Sequence, residues 1–441
     1  QMATLPRLRP RCFYDLVIEV ALIRPGPIQG NAVNPYLRRR RGEESVTYLH
    51  PLLEPILERT LGVPLFQEQL MEMAVAVAGF SPAEADELRQ AMAAKRSELR
   101  MLRLKGRLYE GMSARGVDQA TSDEIYAALS AFANFGFPES HAVSFAHLVY
   151  CSAWLKRYHP AAFLAALLNA QPMGFWSPQS LVADAKRHGV VVHRPDVDRS
   201  EPLATLEDEA GGLSVRLGLT TVRGVGEAVA RRIADGAPWS GQEDLVRRAG
   251  VTRAQLESLS LAGALDAMGA SRRALTWTAA AAAQSSSDRL EGIVTGAVAP
   301  ALALPTPLES VADDLYALGL APESTAISLA RPGLEASGVL PAAALLGAEA
   351  TRVTVAGVVT HRQHPETAHG AVFLNLEDET GLVNVIFSKG AWARWRHVAG
   401  SAPALVVRGR LERAQGTVGV TAEHVTVLDL GAPAAASRDF R

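Results

Sequence analysis

Four clusters of side chains in this sequence have types and spacings suited to gripping phosphate, and none is arranged as a bond-breaking centre. The sharpest runs from Leu219 to Ile233, where Gly224-Val225-Gly226 leads directly into helical spacing. Two glycines around one apolar residue let bare backbone N–H groups at a helix start approach a phosphate. Val222, Val225, Ala228, Val229 and Ile233 pack the turn, while Arg223, Arg231 and Arg232 bring charge to it. Residues 216–253 carry seven Arg against four acidic residues. Any tight strand-to-helix turn also uses a Gly-x-Gly. A dinucleotide fingerprint fits less well, because the third glycine and a flanking βαβ rhythm are missing.

The second cluster is N-terminal. Between Arg7 and Arg41 eight arginines stand against Asp15 and Glu19 alone, and Arg38-Arg39-Arg40-Arg41 is uninterrupted. Counterion release makes such a run a good gripper of a nucleic-acid backbone. Glu43 and Glu44 follow at once, so a solvated face competes with that reading. In the third cluster Arg89 and Arg96 fall near one helical face, with Lys95 adjacent. The fourth is Ser140-His141 at the start of a long helix, where a hydroxyl, an imidazole and free N–H groups suit an anion. Capping or packing serves equally for His141.

Catalytic patterns are missing. The sequence has no His-x-x-x-His, zinc-deaminase, Ser-His-Asp or Walker arrangement. Phosphoryl transfer through two metals needs carboxylates that converge on one ion pair. Asp15, Asp86, Asp123 and Asp184 are isolated among helices, and Asp196 and Asp198 flank a proline-led loop. The chain is therefore expected to supply no catalytic residue and no metal ligand of its own.

The elements that must position these groups change style along the chain. Residues 1–170 read as helical, with helices over Phe13–Ile23, Leu52–Ala78, 82–112, 118–132, Ala142–Tyr158 and Ala161–Leu168. A rigid turn at Arg24-Pro25-Gly26-Pro27 breaks the first part, and Ser81-Pro82-Ala83-Glu84 is a capping-box start. After Pro172, a short helix (181–188), short strands (189–192, 214–219) and an acidic loop at 200–212 precede helices over 227–233, 243–248, 253–262 and 272–283. Residues 290–350 show only isolated helical turns. From Thr351 the pattern is β: strands over 353–359, 371–376, 382–387, 404–411, 417–421 and 425–430, with one helix at 392–398, match an OB-type barrel. The expected architecture is multidomain, mainly α, with a C-terminal β-barrel. Its segments are 1–170, 171–285, a mixed linker 286–350, the barrel 351–430 and a tail 431–441.

Composition agrees with a folded chain. Hydrophobic residues make up 48% of the 441, enough for real cores, and a net charge of −2 excludes a uniformly basic coat. Two cysteines, Cys12 and Cys151, cannot build a disulfide scaffold or a four-cysteine zinc site. No secretory pattern or membrane span is seen, so a cytoplasmic location is expected.

Several long phrases occur in a telling order: Ala21-Leu22-Ile23-Arg24-Pro25-Gly26-Pro27-Ile28-Gln29-Gly30, Gly62-Val63-Pro64-Leu65-Phe66-Gln67-Glu68-Gln69, and Gly79-Phe80-Ser81-Pro82. Later come Asn134-Phe135-Gly136-Phe137-Pro138-Glu139-Ser140-His141-Ala142, Trp154-Leu155-Lys156-Arg157-Tyr158-His159-Pro160 and Asn169-Ala170-Gln171-Pro172-Met173-Gly174. Together they resemble the α subunit of bacterial C-family DNA polymerases, most closely the error-prone, damage-inducible branch. The resemblance implies that 1–170 form a fingers portion, 171–285 a helix-hairpin-helix region that binds duplex, and 351–430 an OB-fold facing single-stranded template. Arg89, Lys95, Arg96, Ser140 and His141 would hold the triphosphate of a dNTP, and Arg38–Arg41 and the Arg223–Arg232 segment would hold DNA. The implied chemistry is nucleotidyl transfer onto a primer end with Mg²⁺, in damage-induced translesion synthesis. Implied partners are primer–template DNA, dNTPs, mutagenesis accessory proteins and a Y-family-like protein. The palm with the catalytic aspartates is expected upstream of residue 1, so Mg²⁺ would bind outside this chain, and the chain alone is expected not to polymerise. A non-catalytic DNA-binding or scaffolding module derived from a truncated polymerase is the alternative. Departures from the family are Gln90, where a second Arg is common, a loosely matching 290–350, and few candidate stacking aromatics on the barrel: Phe373, Phe387, Trp392 and Trp395.

Overall fold

The computed structural model describes residues 4–23, 33–93, 98–133, 137–285, 287–290, 298–365, 368–414, 417–431 and 437–440. The turn expected at 24–27, Lys95, Arg96 and residues 415–416 lie outside these. The chain forms two compact units, Gln1–Ala153 and Trp154–Ala414 with Val418–Arg441.

The first unit is helical: α1 Leu5–Leu8, α2 Phe13–Leu22, α3 Val33–Arg40, α4 Glu54–Leu57, α5 Gln67–Ala78, α6 Pro82–Ala93, α7 Glu98–Ala114, α8 Gln119–Ala133 and α9 Glu139–Tyr158, the last belonging to this unit up to Ala153. The single helix expected over 52–78 is interrupted. Two 3₁₀ turns flank α4, Leu61 adopts a left-handed φ of 53°, and α5 begins only at Gln67. Gln69 sets that start. Its side-chain oxygen accepts from the N–H of Leu65 (2.9 Å) and Phe66 (3.1 Å), while its amide donates to Ile56 and to the Thr60 hydroxyl. The Ser81–Glu84 capping box forms, with 2.7 and 3.3 Å bonds. Ile18, Leu65, Phe66, Met73, Leu108 and Ile125 make the core. Gly111 is required where α7 meets α5, because a Cβ there would lie 2.0 Å from the Ala78 carbonyl oxygen.

One core-facing carboxylate carries a pH signature. Glu19 is 9% exposed and its Oε2 has no hydrogen-bond partner among the described residues. Burial pushes its pKa from 4.5 up to about 7. The folded protein keeps this proton at pH values where the unfolded chain has released it, so stability falls as pH rises from 4.5 to 7 and is level above that. Glu19→Gln should remove this slope and leave the first unit more stable than wild type at pH 8, as read by denaturant unfolding at pH 4 and pH 8.

The second unit begins with α10 Pro160–Asn169 and α11 Pro178–Arg187. Ala161, Leu164 and Ala165 of α10 join a core with Val182, Val215 and Leu217, so the break between compact units falls at 153/154 rather than near 170. A small sheet follows, β1 Val192–His193, β2 Thr205–Glu209 and β3 Gly212–Arg216, in the order β1-β3-β2. The acidic segment read as a loop thus contains an edge strand, antiparallel to β3 from Thr205↔Arg216 to Glu209↔Gly212. Its charges suit an edge, where they discourage further pairing. Helices α12 Glu227–Gly236, α13 Gln242–Ala249, α14 Arg253–Leu261 and α15 Arg272–Ala282 come next. The 290–350 segment then supplies two real helices, α16 Pro307–Leu318 and α17 Ala326–Ala336, each opened by a threonine capping box.

Helix α16 is fastened from beneath by charge. Asp314, 1% exposed, accepts from Arg194 (Nη2–Oδ2 2.8 Å, with a second bond from Nη1) and from Arg272 Nη1 at 3.0 Å. Arg194 also donates to Glu323 at 2.7 Å.

Beyond β4 Val339–Leu340, the barrel comprises β5 Arg352–Gln363, β6 Val372–Glu377, β7 Leu382–Phe387, β8 Ala404–Ala414 and β9 Thr417–Val427, with α18 Lys389–Ala399 between β7 and β8. Closure depends on β5. Its first half pairs with β8 over Arg352–Val358 and its second with β6, with an irregularity between Val359 and His361. Strand order is β5-β6-β7-β9-β8, and β8 returns to β5. The separate last strand expected at 425–430 does not form: 425–427 continue β9 and 428–430 are not strand, while β10 Arg438–Phe440 adds to β5 in parallel. The fold is the expected one: a helical region, a helix-hairpin-helix region and a closed five-stranded OB-type barrel.

Candidate nucleic-acid interface

The Gly224-Val225-Gly226 turn joins a 3₁₀ turn, Leu219–Thr221, to α12. Val222 and Val225 are buried at 1% and 3% and anchor it. Gly224 has φ +78°, a conformation that costs an L side chain about 1–2 kcal/mol. Gly226 is the N-cap of α12 and offers no side-chain cap. Nothing lies within 4 Å of where a Cβ on either glycine would sit. The first N–H groups of a helix have no partner within it, so here they open onto space with the positive end of the dipole behind them. The helix starts at Thr252, Ser271, Thr306 and Thr325 are instead closed by hydroxyls.

The three arginines around this turn have different duties. Arg223 lies with its guanidinium carbon 4.5 Å from the centroid of the exposed Tyr316 ring, and its N–H donates to Ala317 at 2.8 Å. Arg231 pairs with Glu227, both about two-thirds exposed (66% and 65%). Such a pair contributes at most about 1 kcal/mol and leaves the guanidinium open to solvent. Arg232 donates to Ala249 at 2.7 Å and closes the C-terminus of α13, so its fixed role is structural. Two participants escaped the sequence reading. Gln255, which completes the cap of α14, also donates to the Gly224 carbonyl at 2.9 Å and ties the α13–α14 turn to the glycine turn. Tyr316 lay in a segment with no readable pattern. Only the Thr252-x-x-Gln255 box was visible in the sequence.

The other clusters are more self-occupied. Arg40 makes a two-pronged pair with buried Asp15 (2.7 and 2.6 Å) and donates to Leu8 and Arg9. Although burial pushes Asp15 up, these bonds and those from the Arg11 and Cys12 N–H groups hold its carboxyl below the usual range. Arg39 donates to Glu44, Thr47 and Leu61, and Arg41 to Arg7. Arg38, paired with Glu44, is the most exposed side chain of the Arg38–Arg40 stretch. Arg89 and Gln90 share Asp86: Arg89 Nε donates at 2.9 Å and the Gln90 amide at 2.6 Å. Gln90 thus replaces a charge with a neutral partner on the same carboxylate. Ser140 and His141 are exposed at the start of α9, with the His141 ring between Phe137 (5.1 Å) and Phe145 (4.6 Å). That helix start already faces an anion, because the Glu139 N–H donates to Glu68 at 2.9 Å. Burial, then Glu139 and Glu68, push the neighbouring Glu72 carboxyl up.

Among the described residues one trio, His193, Glu207 and Glu209, converges as metal ligands do. Glu207 is engaged by Arg216 at both oxygens and by Arg199 at 3.0 Å, so the trio does not fit a catalytic cation. Asp196 and Asp198 serve as turn acceptors for the N–H groups of Asp198 and Trp239. A cavity of about 100 Å³ lies between α11, α16, α17 and the barrel. Its polar edge is internally bonded, Ser180 to Glu377 at 2.7 Å and His361 to the Phe175 carbonyl at 2.9 Å, which makes it a packing seam. On the barrel, Phe387 is core, while Trp392 and Trp395 are half-buried against it and Trp395 donates to Glu423. Phe373 is half-buried on β6.

Comparison with known proteins gives the same three regions. The family described as bacterial DNA polymerase III alpha subunit finger domain matches residues 1–116, the helix-hairpin-helix motif matches 189–275, and an OB-fold nucleic acid binding domain matches 353–428. A protein of Nocardia farcinica called error-prone DNA polymerase is 56% identical over 455 residues, covering all of this chain and 39% of the relative. Proteins of the same name from Mycobacterium tuberculosis and Cutibacterium acnes are 56% and 47% identical, again over the whole chain and over 40% and 43% of the relatives. The chain spans about two fifths of the length of these curated relatives.

Proposed function

Because this chain belongs to the bacterial C-family DNA polymerases and matches the C-terminal portion of those called error-prone, we propose that it holds primer–template DNA for nucleotide addition catalysed by another part of a longer polypeptide. The observation that carries this reading is the uncapped start of α12 behind Gly224-Val225-Gly226, inside the region matched by the helix-hairpin-helix motif. Backbone N–H groups there donate to a DNA phosphate, Arg223 and Arg231 add charge, and base sequence is not read. The barrel lies toward single-stranded template, with Phe373 as its best-placed stacking ring.

On this proposal Arg89, with Lys95, Arg96, Ser140 and His141, meets the triphosphate of the incoming dNTP, and Arg38 is the member of its run freest to reach DNA. Among the described residues Arg38 pairs with a partly exposed Glu44. On the same proposal Mg²⁺ is held by carboxylates outside the chain. Damage-tolerant synthesis with mutagenesis accessory proteins and a Y-family-like partner completes the proposal.

The test is direct. The purified chain should bind labelled duplex with affinity that falls linearly in log–log with salt, yet give no primer extension with Mg²⁺ and dNTPs. Extension by the chain alone would overturn the assignment of chemistry to another segment, and salt-independent binding would overturn the phosphate grip. In a polymerase that carries this chain together with the upstream part of a relative, Arg89→Ala should raise the dNTP concentration for half-maximal extension about tenfold. An unchanged requirement would remove Arg89 from the nucleotide site.

A further inference from the structure

Helix α9 is apolar around most of its circumference. From Ser140 to Leu155 it has no charged residue, and in its first-unit part only Ala142 and Ala146 are buried. At 100° per residue these two and Val149 share one direction, whereas Val143 and Tyr150 point a second way and Phe145 and Leu148 a third, with Ser144, His147 and Cys151 on the arc between them. Leu148 is 61% exposed, Tyr150 54% and Val149 46%. An uncharged helix that exposes large apolar side chains in more than one direction belongs against a further body. No helix among the described residues is long and apolar enough to cross a membrane.

We propose that this face of α9 is covered by the polypeptide that precedes the matched portion in the longer relatives. Those relatives carry more than half of their length outside the matched region, which lies toward their C-termini. Phe13 packs edge-on against Tyr150, with ring centroids 6.5 Å apart. The start of the matched region therefore lies within a dozen residues of chain from the apolar face, and an entering polypeptide reaches it without a long linker. The cover is apolar, since the face offers only Ser144 and His147 as polar groups between Val143 and Tyr150.

Cys151, half-buried on this helix, reports on the cover. In a Cys12→Ser background, maleimide labelling of Cys151 is followed by peptide mass spectrometry in the chain alone and in a fusion carrying the upstream part of the Nocardia farcinica relative. Labelling should be at least tenfold slower in the fusion, and Leu148→Asp with Tyr150→Asp should restore it. The same double variant in the chain alone should lower binding of an apolar dye severalfold without lowering the melting temperature, a readout that needs no fusion. Equal labelling in both proteins would overturn the proposal. So would a chain that sediments as a dimer with Cys151 protected, or one that floats with phospholipid vesicles.

Discussion

Asp314→Ala should be the most destabilising single change in the second unit, lowering its stability by roughly 3–5 kcal/mol. The carboxylate is 1% exposed and receives both Arg194 and Arg272, whose side chains are themselves only 11% and 12% exposed. Removing it leaves two buried guanidinium groups with only the more exposed Glu323 and Asp266 as counter-charges, which costs more than the ion pair contributed. The melting transition of this unit should move down by roughly 10 °C. Asp314→Asn, which keeps a hydrogen-bond acceptor, should cost less. A shift of a degree or two for the alanine variant would show that water reaches both arginines. The change matters for binding too, because α16 also presents Tyr316 beneath Arg223 and accepts the Arg223 N–H at Ala317.

Gly226→Val should weaken duplex binding about tenfold, roughly 1.4 kcal/mol, with little effect on folding. Its φ of −77° is open to every residue, and no atom lies within 4 Å of the new Cβ. A valine N-cap is poor, so a stability cost of about 1 kcal/mol is expected. The branched side chain would stand where a phosphate must come to reach the N–H groups. Gly224→Val adds backbone strain at φ +78° and should lower both affinity and melting temperature. The pair separates access from architecture. If Gly226→Val leaves the dissociation constant unchanged at about 0.15 M salt, a level at which exposed charges are already well screened, DNA does not use this turn.

The sequence carried the fold where signals were local. The Ser81–Glu84 box, the glycine turn and the alternating barrel strands all took their expected places, because each is decided by neighbours within a few residues. It was poorer where distant partners decide. Asp314, Arg194 and Arg272 are far apart in the chain, and nothing in their flanks announces a shared buried site. Thr306-Pro307-Leu308-Glu309 was a legible helix start, obscured by the Ala and Pro around it. The arginine run illustrates the limit for sites. Four adjacent cations look like a nucleic-acid patch, yet Asp15, Glu44 and several backbone carbonyls take most of their donors. The acidic surroundings of the α9 start were also hidden, since Glu68 and Glu139 meet only in the fold.

Hydrogen exchange at the backbone amides of Gly226, Glu227 and Ala228, with and without saturating duplex, is the most direct measurement. A phosphate seated on the start of α12 slows exchange there by tenfold or more and leaves the hydroxyl-capped start at Thr306 unchanged. Saturation with DNA and no slowing at these three amides would contradict the account.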